Sequence, residues 1–566
     1  MLSRPSFLQF SGTAIIIGLL LERVLPQYLP SRYWNIVIVF AIEYTAWCLY
    51  SIVLYNNFFS PLRHLPLPPN SHWLTGQTKR ILREPSGHPM RDWMATVPND
   101  GLLRYVAWTR ERVLITSPKN LGEVLVTKNY EFIKPSRFRA GLGRILGIGI
   151  LFAEGEEHRV QRKNLMPAFA FRHVKDLYPV FWRKSQELMH CLQVAANSTA
   201  SPSDELESSA NNEISPEQTA TDVPRHAPGV VEVDDWVSRA TLDIIGVSGM
   251  GQDFNSLHDP QNKLSMTYKT IFNPSKVARY LQIAGIFMPF WIINRIPIKR
   301  NDDMNEAADF IKQTCRELIA QKRKQMEKFE RTEVDILSVA LESGGFRDEE
   351  LVNQMMTFLV AGHETTATSM IWALYFLCRN SEVQRKLREE VRKNITSLES
   401  EVDSNVIDSC QYLHAVCAEV LRLRPPVSMT MREAACDTSI DGHFVPKGTT
   451  VVISPYAING SPSLWGDDAA EFKPERWLDS SGRANKRGSA DSNYSFLTFL
   501  HGPRGCIGQR FAEAEFACIL AAWVGKFDTV FEDGSPLISG EPEIKRGVTA
   551  KPKGGLWVHL NEVEGW

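Results

Sequence analysis

Phe499-Leu500-His501-Gly502-Pro503-Arg504-Gly505-Cys506-Ile507-Gly508 decides how the rest of the chain is read. Its glycines and proline impose an irregular loop whose backbone can approach something flat and large. From Ile507 to Lys526 the chain is then almost continuously apolar, the pattern of a buried helix. Cys506 therefore stands at a helix N-terminus, where free N–H groups and partial positive charge favour a thiolate over a thiol. Arg504 adds a planar cation suited to a carboxylate, and Phe499 is placed to shield the sulfur from water. The competing reading is a buried structural cysteine beside a Gly-rich turn.

Four other stretches carry chemistry, each with an ordinary alternative. The helical stretch Glu156 to Ala170 holds His158, Arg159, Arg162 and Lys163. Such a run is usually a solvated face, but His158 and Arg162 lie one turn apart on the same side. Asp348 to Arg379 reads as one helix of about 30 residues, roughly 45 Å long. Its middle is Ala361-Gly362-His363-Glu364-Thr365-Thr366, an acid and two threonines in an apolar setting that makes them costly to bury alone. A close helix crossing, with the threonines bonded back to the preceding turn, would also explain it. Leu413 to Arg424 carries Glu419 and Arg422 on one face, a pair worth only about 0.2–0.5 kcal/mol if exposed. Pro474-Glu475-Arg476-Trp477 follows and offers Glu419 a second guanidinium. Between them, 426–454 alternates short strands with turns and includes Arg432, which alone is an unremarkable strand residue.

The cysteine loop resembles the F-x-x-G-x-R-x-C-x-G signature of the cytochrome P-450 family at every fixed position. The long helix resembles that family's A/G-G-x-D/E-T-T motif, and Glu419, Arg422 and Arg476 its E-x-x-R and P-E-R triad. The resemblance spans about residues 60–560 and is most similar to microsomal members from filamentous fungi. It implies a mainly α fold with a small β-rich subdomain, the P-450 fold. It also implies haem b with Cys506 as the axial iron ligand, His158, Arg162, Arg432, Phe499 and Arg504 around the cofactor, and Glu364 and Thr365 delivering protons. His158 stands where the family has a tryptophan; an imidazole can still donate to a haem propionate. A thiolate ligand favours O–O cleavage, so the implied activity is a monooxygenase that uses O2 to hydroxylate a lipophilic small molecule. Terpenoid or polyketide secondary metabolites are the first expectation. Fatty acids or xenobiotics are the alternative, and a haem-thiolate isomerase or dehydratase that does not use O2 is a further one.

The remaining sequence sets the context. In 566 residues the net charge is −2, which excludes a global basic field for nucleic acid. Nine scattered cysteines without C-x-x-C pairs argue against a disulfide framework or a zinc site. Phe7 to Leu21 and Trp34 to Tyr55 are apolar, the second long enough to span a bilayer with Glu43 as its only charge. Residues 1–60 thus read as a retained membrane anchor of one or two helices, and the excess of Lys and Arg after it predicts a body facing the cytosol at the endoplasmic reticulum. Pro61, Pro66, Pro68 and Pro69 predict a stiff hinge over 61–70, followed by the catalytic domain over 71–566. The composition of about 197–228 predicts disorder, Arg137 to Ile150 reads as a Gly-rich loop, and 480–493 as a mobile polar insertion. Residues 277–298 read either as a core helix pair or as a substrate-access lid dipping into the membrane. The pair Gly141 and Gly143 does not make a dinucleotide fingerprint, since no strand precedes it. Electrons must come from a partner: an NADPH-dependent cytochrome reductase, or additionally a small haem electron donor.

Overall fold

The architecture is a computed structural model describing residues 7–24, 32–107, 110–197, 229–272, 277, 280–281, 293, 295–328, 335–545 and 547–566. Of the stretch expected to be disordered, about 197–228, Asn197 ends helix Tyr178–Asn197, and 198–228, like most of 277–298, lie outside the described residues.

Helix Asp348–Arg379 is the central element, 32 residues long. Three acids in its first turn and Arg379 in its last match the helix dipole. Its middle is apolar on nearly all sides, because helices Val233–Ile245, Lys299–Glu327, Gln411–Leu423 and Gln509–Lys526 surround it. Gln509–Lys526 is buried almost throughout from Ala514 onward, as its unbroken apolar sequence requires.

The β structure is small and lies to one side. A five-stranded sheet has the order β1 (Leu102–Ala107), β2 (Arg110–Ile115), β8 (Thr450–Ile453), β5 (Thr430–Ala434), β3 (Phe132–Ile133). Only β2 and β8 pair in parallel, with Val113 opposite Val451; β5 runs antiparallel to β8 with Arg432 opposite Val451. A three-stranded sheet joins β4 (Val230–Glu232), β10 (Trp557–Glu562) and β9 (Phe527–Phe531), and β6 (Thr438–Ile440) with β7 (His443–Val445) forms a hairpin.

One helix among the described residues, Tyr33–Phe59, is long and apolar enough to cross a membrane. The shorter helix Phe7–Val24 packs against it: Gly18 leaves room for Ile36, and Thr13 donates to Glu43, the span's one charge, at 3.0 Å. Leu62 and Leu65 of the Pro-rich stretch are buried in the core of the five-stranded sheet, and Arg104 N bonds Pro66 O at 2.9 Å.

The Gly-rich segment expected to be a loop is instead helix Ser136–Leu146, ended by Gly147 at φ +71°. Its continuation lies directly on the long helix. Thr357 Oγ1 donates to Leu146 O at 2.8 Å and Ile150 N to Gln354 Oε1 at 2.8 Å. A Cβ on Gly149 would sit 2.5 Å from Thr357 Oγ1, so glycine serves close approach here. The polar insertion 480–493 is tied back by Asn485 N to Trp477 O at 2.7 Å and by Arg476 to Ser489 Oγ at 3.1 Å.

Candidate active site

The cysteine loop is held in a tight, partly left-handed path. Cys506 N donates to Phe499 O at 2.8 Å, and Gly505 N to Gly502 O at 2.9 Å. Leu500 adopts φ +56° and Gly502 φ +74°. A left-handed leucine costs on the order of 1–3 kcal/mol, so the surroundings over-determine this turn. Phe499 is partly buried against Phe496, their ring centres 6.5 Å apart. Cys506 is exposed, although Pro503 to Gly505 just before it are half-buried.

Burial pushes the Cys506 thiol up to about 11, against the Gly508 N–H and the charge of Arg162, which both favour the anion. A metal cation on the sulfur would favour the thiolate further.

Beside this loop, cations outnumber anions. Arg504 pairs with Glu154 and donates to Ala153 O at 2.8 Å; its Nε is buried without a partner. Arg162 donates to Gly505 O at 2.8 Å. Arg432 is 3% exposed and reaches only Thr430 Oγ1 and Met431 O, at 3.1 and 3.0 Å. Lys134 Nζ bonds Leu151 O, and its backbone N–H bonds Glu154 at 2.9 Å. Burial, then Arg432 and Arg504, push the Lys134 ammonium well below its ordinary value. Burial and Arg504 together bring Arg432 down to about 10. His158, 3.2 Å from Tyr130 Oη, is pushed down to about 3 by burial and then by the four surrounding cations. It is a neutral imidazole. Glu154 is the one carboxylate acting on Lys134, Arg432 and Arg504. An arrangement this unbalanced fits an anionic group.

The long helix presents two different faces at its polar middle. Ala361 is exposed, and Gly362 and Thr365 half-buried, within a run where Leu359, Val360 and Met370 are buried. Thr365 Oγ1 donates back to Ala361 O at 2.8 Å. Glu364 is buried on an adjoining side, about 100° round the helix from Thr365, and accepts from Thr549 Oγ1 at 2.7 Å and Lys551 Nζ at 2.9 Å. Thr366 donates to Glu515 of helix Gln509–Lys526 at 2.8 Å. Burial pushes the Glu515 carboxyl well above its ordinary range, and its Oε1 is buried without a partner.

Behind the loop, Glu419 is fully buried and fully satisfied. It accepts from Arg422 Nε and Nη2 at 2.8 Å each, Arg476 Nε at 3.0 Å, Trp477 Nε1 at 2.8 Å and Lys473 N at 3.0 Å. Arg422 also donates to Asn459 O at 2.8 Å and Ala469 O at 2.7 Å. Asn459 Oδ1 in turn accepts from Leu497 N at 2.7 Å, two residues before Phe499, so the triad reaches the cysteine loop through one intermediate.

The family model for cytochrome P450 matches residues 66–558. The chain belongs to the cytochrome P450 family. Among curated relatives it is 46% identical over 527 residues to cytochrome P450 monooxygenase sphH of Aspergillus fumigatus, covering 92% of this chain and 91% of that one. It is 41% identical over 565 residues to cytochrome P450 monooxygenase ALT8 of Alternaria alternata, with 92% and 93% covered. To cytochrome P450 monooxygenase FUM15 of Gibberella moniliformis it is 39% identical over 563 residues, with 91% of each covered. The chain is thus a cytochrome P450 monooxygenase, of a family whose haem is held by a cysteine thiolate.

In this P450 the fold gathers Arg162, Arg504 and His158 beside Cys506 and sets Arg432 next to Arg504. Glu364 and Thr365 are adjacent in sequence, but their side chains bond different partners, Thr365 the Ala361 carbonyl and Glu364 Thr549 and Lys551. Sequence reasoning missed Lys134, Tyr130 and Glu154, isolated ordinary residues that only the fold brings to the cluster. It also missed Lys551, Thr549 and Glu515; an acid within the apolar run after Cys506 was the one available signal.

Proposed function

We propose that this P450 carries haem b on Cys506 and oxidises a lipophilic small molecule with O2. The bound haem would supply oxygen activation. The protein's part is to hold, orient and protonate. Arg162, Arg432, Arg504 and Lys134, with the Nε2–H of neutral His158, would take the two propionates. Phe499 would keep water from the sulfur. Thr365 would hold a water on the exposed face of the long helix, and Glu364 would pass it protons from the adjoining side. The observation that carries this reading is the surplus of buried cations beside an accessible thiol.

Reduced protein under CO should show the red-shifted Soret band of a thiolate-ligated haem, and Cys506→Ala should lose it. An unshifted band in the unaltered protein rejects the ligand assignment.

The substrate is a terpenoid or polyketide of secondary metabolism in this proposal. Its support is the apolar lining around Phe358 to Ala361 and Val427 to Met431 together with relatives drawn from filamentous fungi. Electrons would come from NADPH through a membrane-bound cytochrome reductase docking on the cysteine side near exposed Lys163. The span Tyr33–Phe59 would hold the protein in the endoplasmic reticulum membrane with its body in the cytosol. Spin-state shifts on titrating terpenoid, polyketide and fatty-acid panels test the substrate class. A response confined to fatty acids would replace it.

A further inference from the structure

A second thiol, outside the ligand loop, stands in a built setting of its own. Cys191 and Glu187 lie four apart on helix Tyr178–Asn197 and so share a face. His258 reaches that face from the loop between helices Val233–Ile245 and Lys263–Phe272. The three groups are in line through the imidazole ring: Cys191 Sγ is 3.8 Å from His258 Nδ1, and His258 Nε2 is 2.7 Å from Glu187 Oε1. The carboxylate accepts from Nε2–H, which leaves the Nδ1 lone pair facing the thiol. Groups in line suit proton transfer rather than a metal ion, and among the described residues no three His, Cys, Asp or Glu side chains are grouped to hold one.

The base and its carboxylate are aimed by groups further from the sulfur. Lys184, only 5% exposed at its side chain, donates to Glu187 Oε2 and to Asp253 Oδ2 at 2.6 Å each, which keeps Glu187 Oε1 for the imidazole. The loop is pinned next to His258. Buried Asp243 accepts from Ser256 N at 2.8 Å and Leu257 N at 2.9 Å, and Arg239 donates to Leu257 O at 3.1 Å. The other histidine of this helix, His190, is occupied by Glu399 at 3.1 Å. The His258 side chain is 53% exposed and Cys191 half-buried, so a small solute can reach the sulfur from the solvent side.

We propose that Cys191 is a modification site, with His258 as its general base and Glu187 as a positioning residue, and that it forms mixed disulfides with small disulfides of the glutathione class. As the sulfur attacks, the S–H proton passes to His258 Nδ1. A new S–S bond forms to one sulfur of the reagent, and the reagent's own S–S bond breaks. Its other half leaves as a thiolate and takes the proton back from His258. Cys191 is oxidised, the released half is reduced, and no other electron donor or acceptor is needed. A second thiol reverses the step. At rest, burial and then Glu187 push the Cys191 thiol up, with a further push from Asp243, against Arg239 and Lys184, which favour the anion. The sulfur therefore waits protonated and depends on a base at the moment of attack. The site stands apart from the haem and from the activity proposed above.

The test incubates the full-length haem protein with glutathione disulfide near neutral pH and follows loading of each cysteine by peptide mass spectrometry. Cys436, exposed and outside the cluster, is the internal reference. Cys191 should load, and Cys191→Ser should remove that adduct alone. His258→Gln should slow loading of Cys191 about a hundredfold and leave Cys436 unchanged. The deficit should narrow as pH rises through the thiol's own range. Glu187→Gln gives the deciding sign. Through charge alone, losing a carboxylate that pushes the thiol up would speed the reaction; losing the group that orients His258 slows it. Slower loading in Glu187→Gln supports the proposal. No Cys191 adduct in the unaltered protein, an unchanged rate in His258→Gln, or faster loading in Glu187→Gln overturns it. Should Glu187→Gln disturb the helix, seen by circular dichroism, the rate in His258→Gln decides alone.

Discussion

Two buried groups of guanidiniums sit on either side of the cysteine loop, and they differ in one respect. Around Glu419 every charge is answered: Arg422 and Arg476 share the carboxylate, and Trp477 and Lys473 N fill its remaining positions. Around Glu154 the account does not balance. Arg504 takes the carboxylate, leaving Arg432 on two neutral oxygens and Lys134 on a backbone carbonyl, all pushed down by burial and one another. The first group is architecture, complete within the chain. The second is the proposed binding site, because burying like charges is unfavourable unless something anionic arrives.

Substitutions can break or sharpen that contrast. Glu419→Ala should have the largest effect. It strands two guanidiniums in a dry interior, and breaking such a pair costs about 3–5 kcal/mol. Denaturant unfolding should show that loss, with little holoprotein recovered. Arg432→Met should behave oppositely: removing one cation from the overcharged group should leave the haem-free protein as stable or more so. Haem transfer to an acceptor globin should become about tenfold faster, the scale of one charge-assisted hydrogen bond. If haem-free Arg432→Met is destabilised as Glu419→Ala is, the contrast fails.

The overcharged group also predicts a pH response. His158 is held at about 3 in the folded chain against an ordinary 6.5, so only the unfolded chain takes up a proton between those values. Stability of the haem-free protein should be complete above pH 6.5 and fall as pH drops toward 3. His158→Asn should flatten that decline in thermal unfolding curves. The smallest effect belongs to Arg159, one residue on. Its pair with Glu156, at 2.7 Å and mostly exposed, should cost less than about 0.5 kcal/mol when Arg159 becomes Ala.

What could be read without coordinates follows the same division. The satisfied triad was legible because Glu419 and Arg422 share a helix face and Arg476 follows in a recognisable tetrapeptide. The long helix was legible to its end residues, since acids open it and Arg379 closes it. Arg162, Arg432 and Arg504 could be named one at a time through the resemblance. The repulsion between Arg432 and Arg504 could not, because it depends on two side chains 72 residues apart, on unrelated elements, reaching one spot. Lys134 has no pattern at all. Helix Ser136–Leu146 was hidden by Gly141 and Gly143, whose low helix propensity is overridden by packing on the long helix. At Cys506 the helix end and Arg162 favour the anion, as read from the sequence, and burial, which the sequence does not show, opposes them.

Gly502 makes one part of this enzyme hard to transplant. Its backbone presses against residue 125, and a Cβ there would come 2.3 Å from Leu125 O. The ligand-bearing turn is thus cast against the segment Pro118–Thr127 rather than standing free. A chimera that imports the decapeptide from a relative without its counter-mould would misplace the sulfur, whereas exchanging the two segments together would keep the fit.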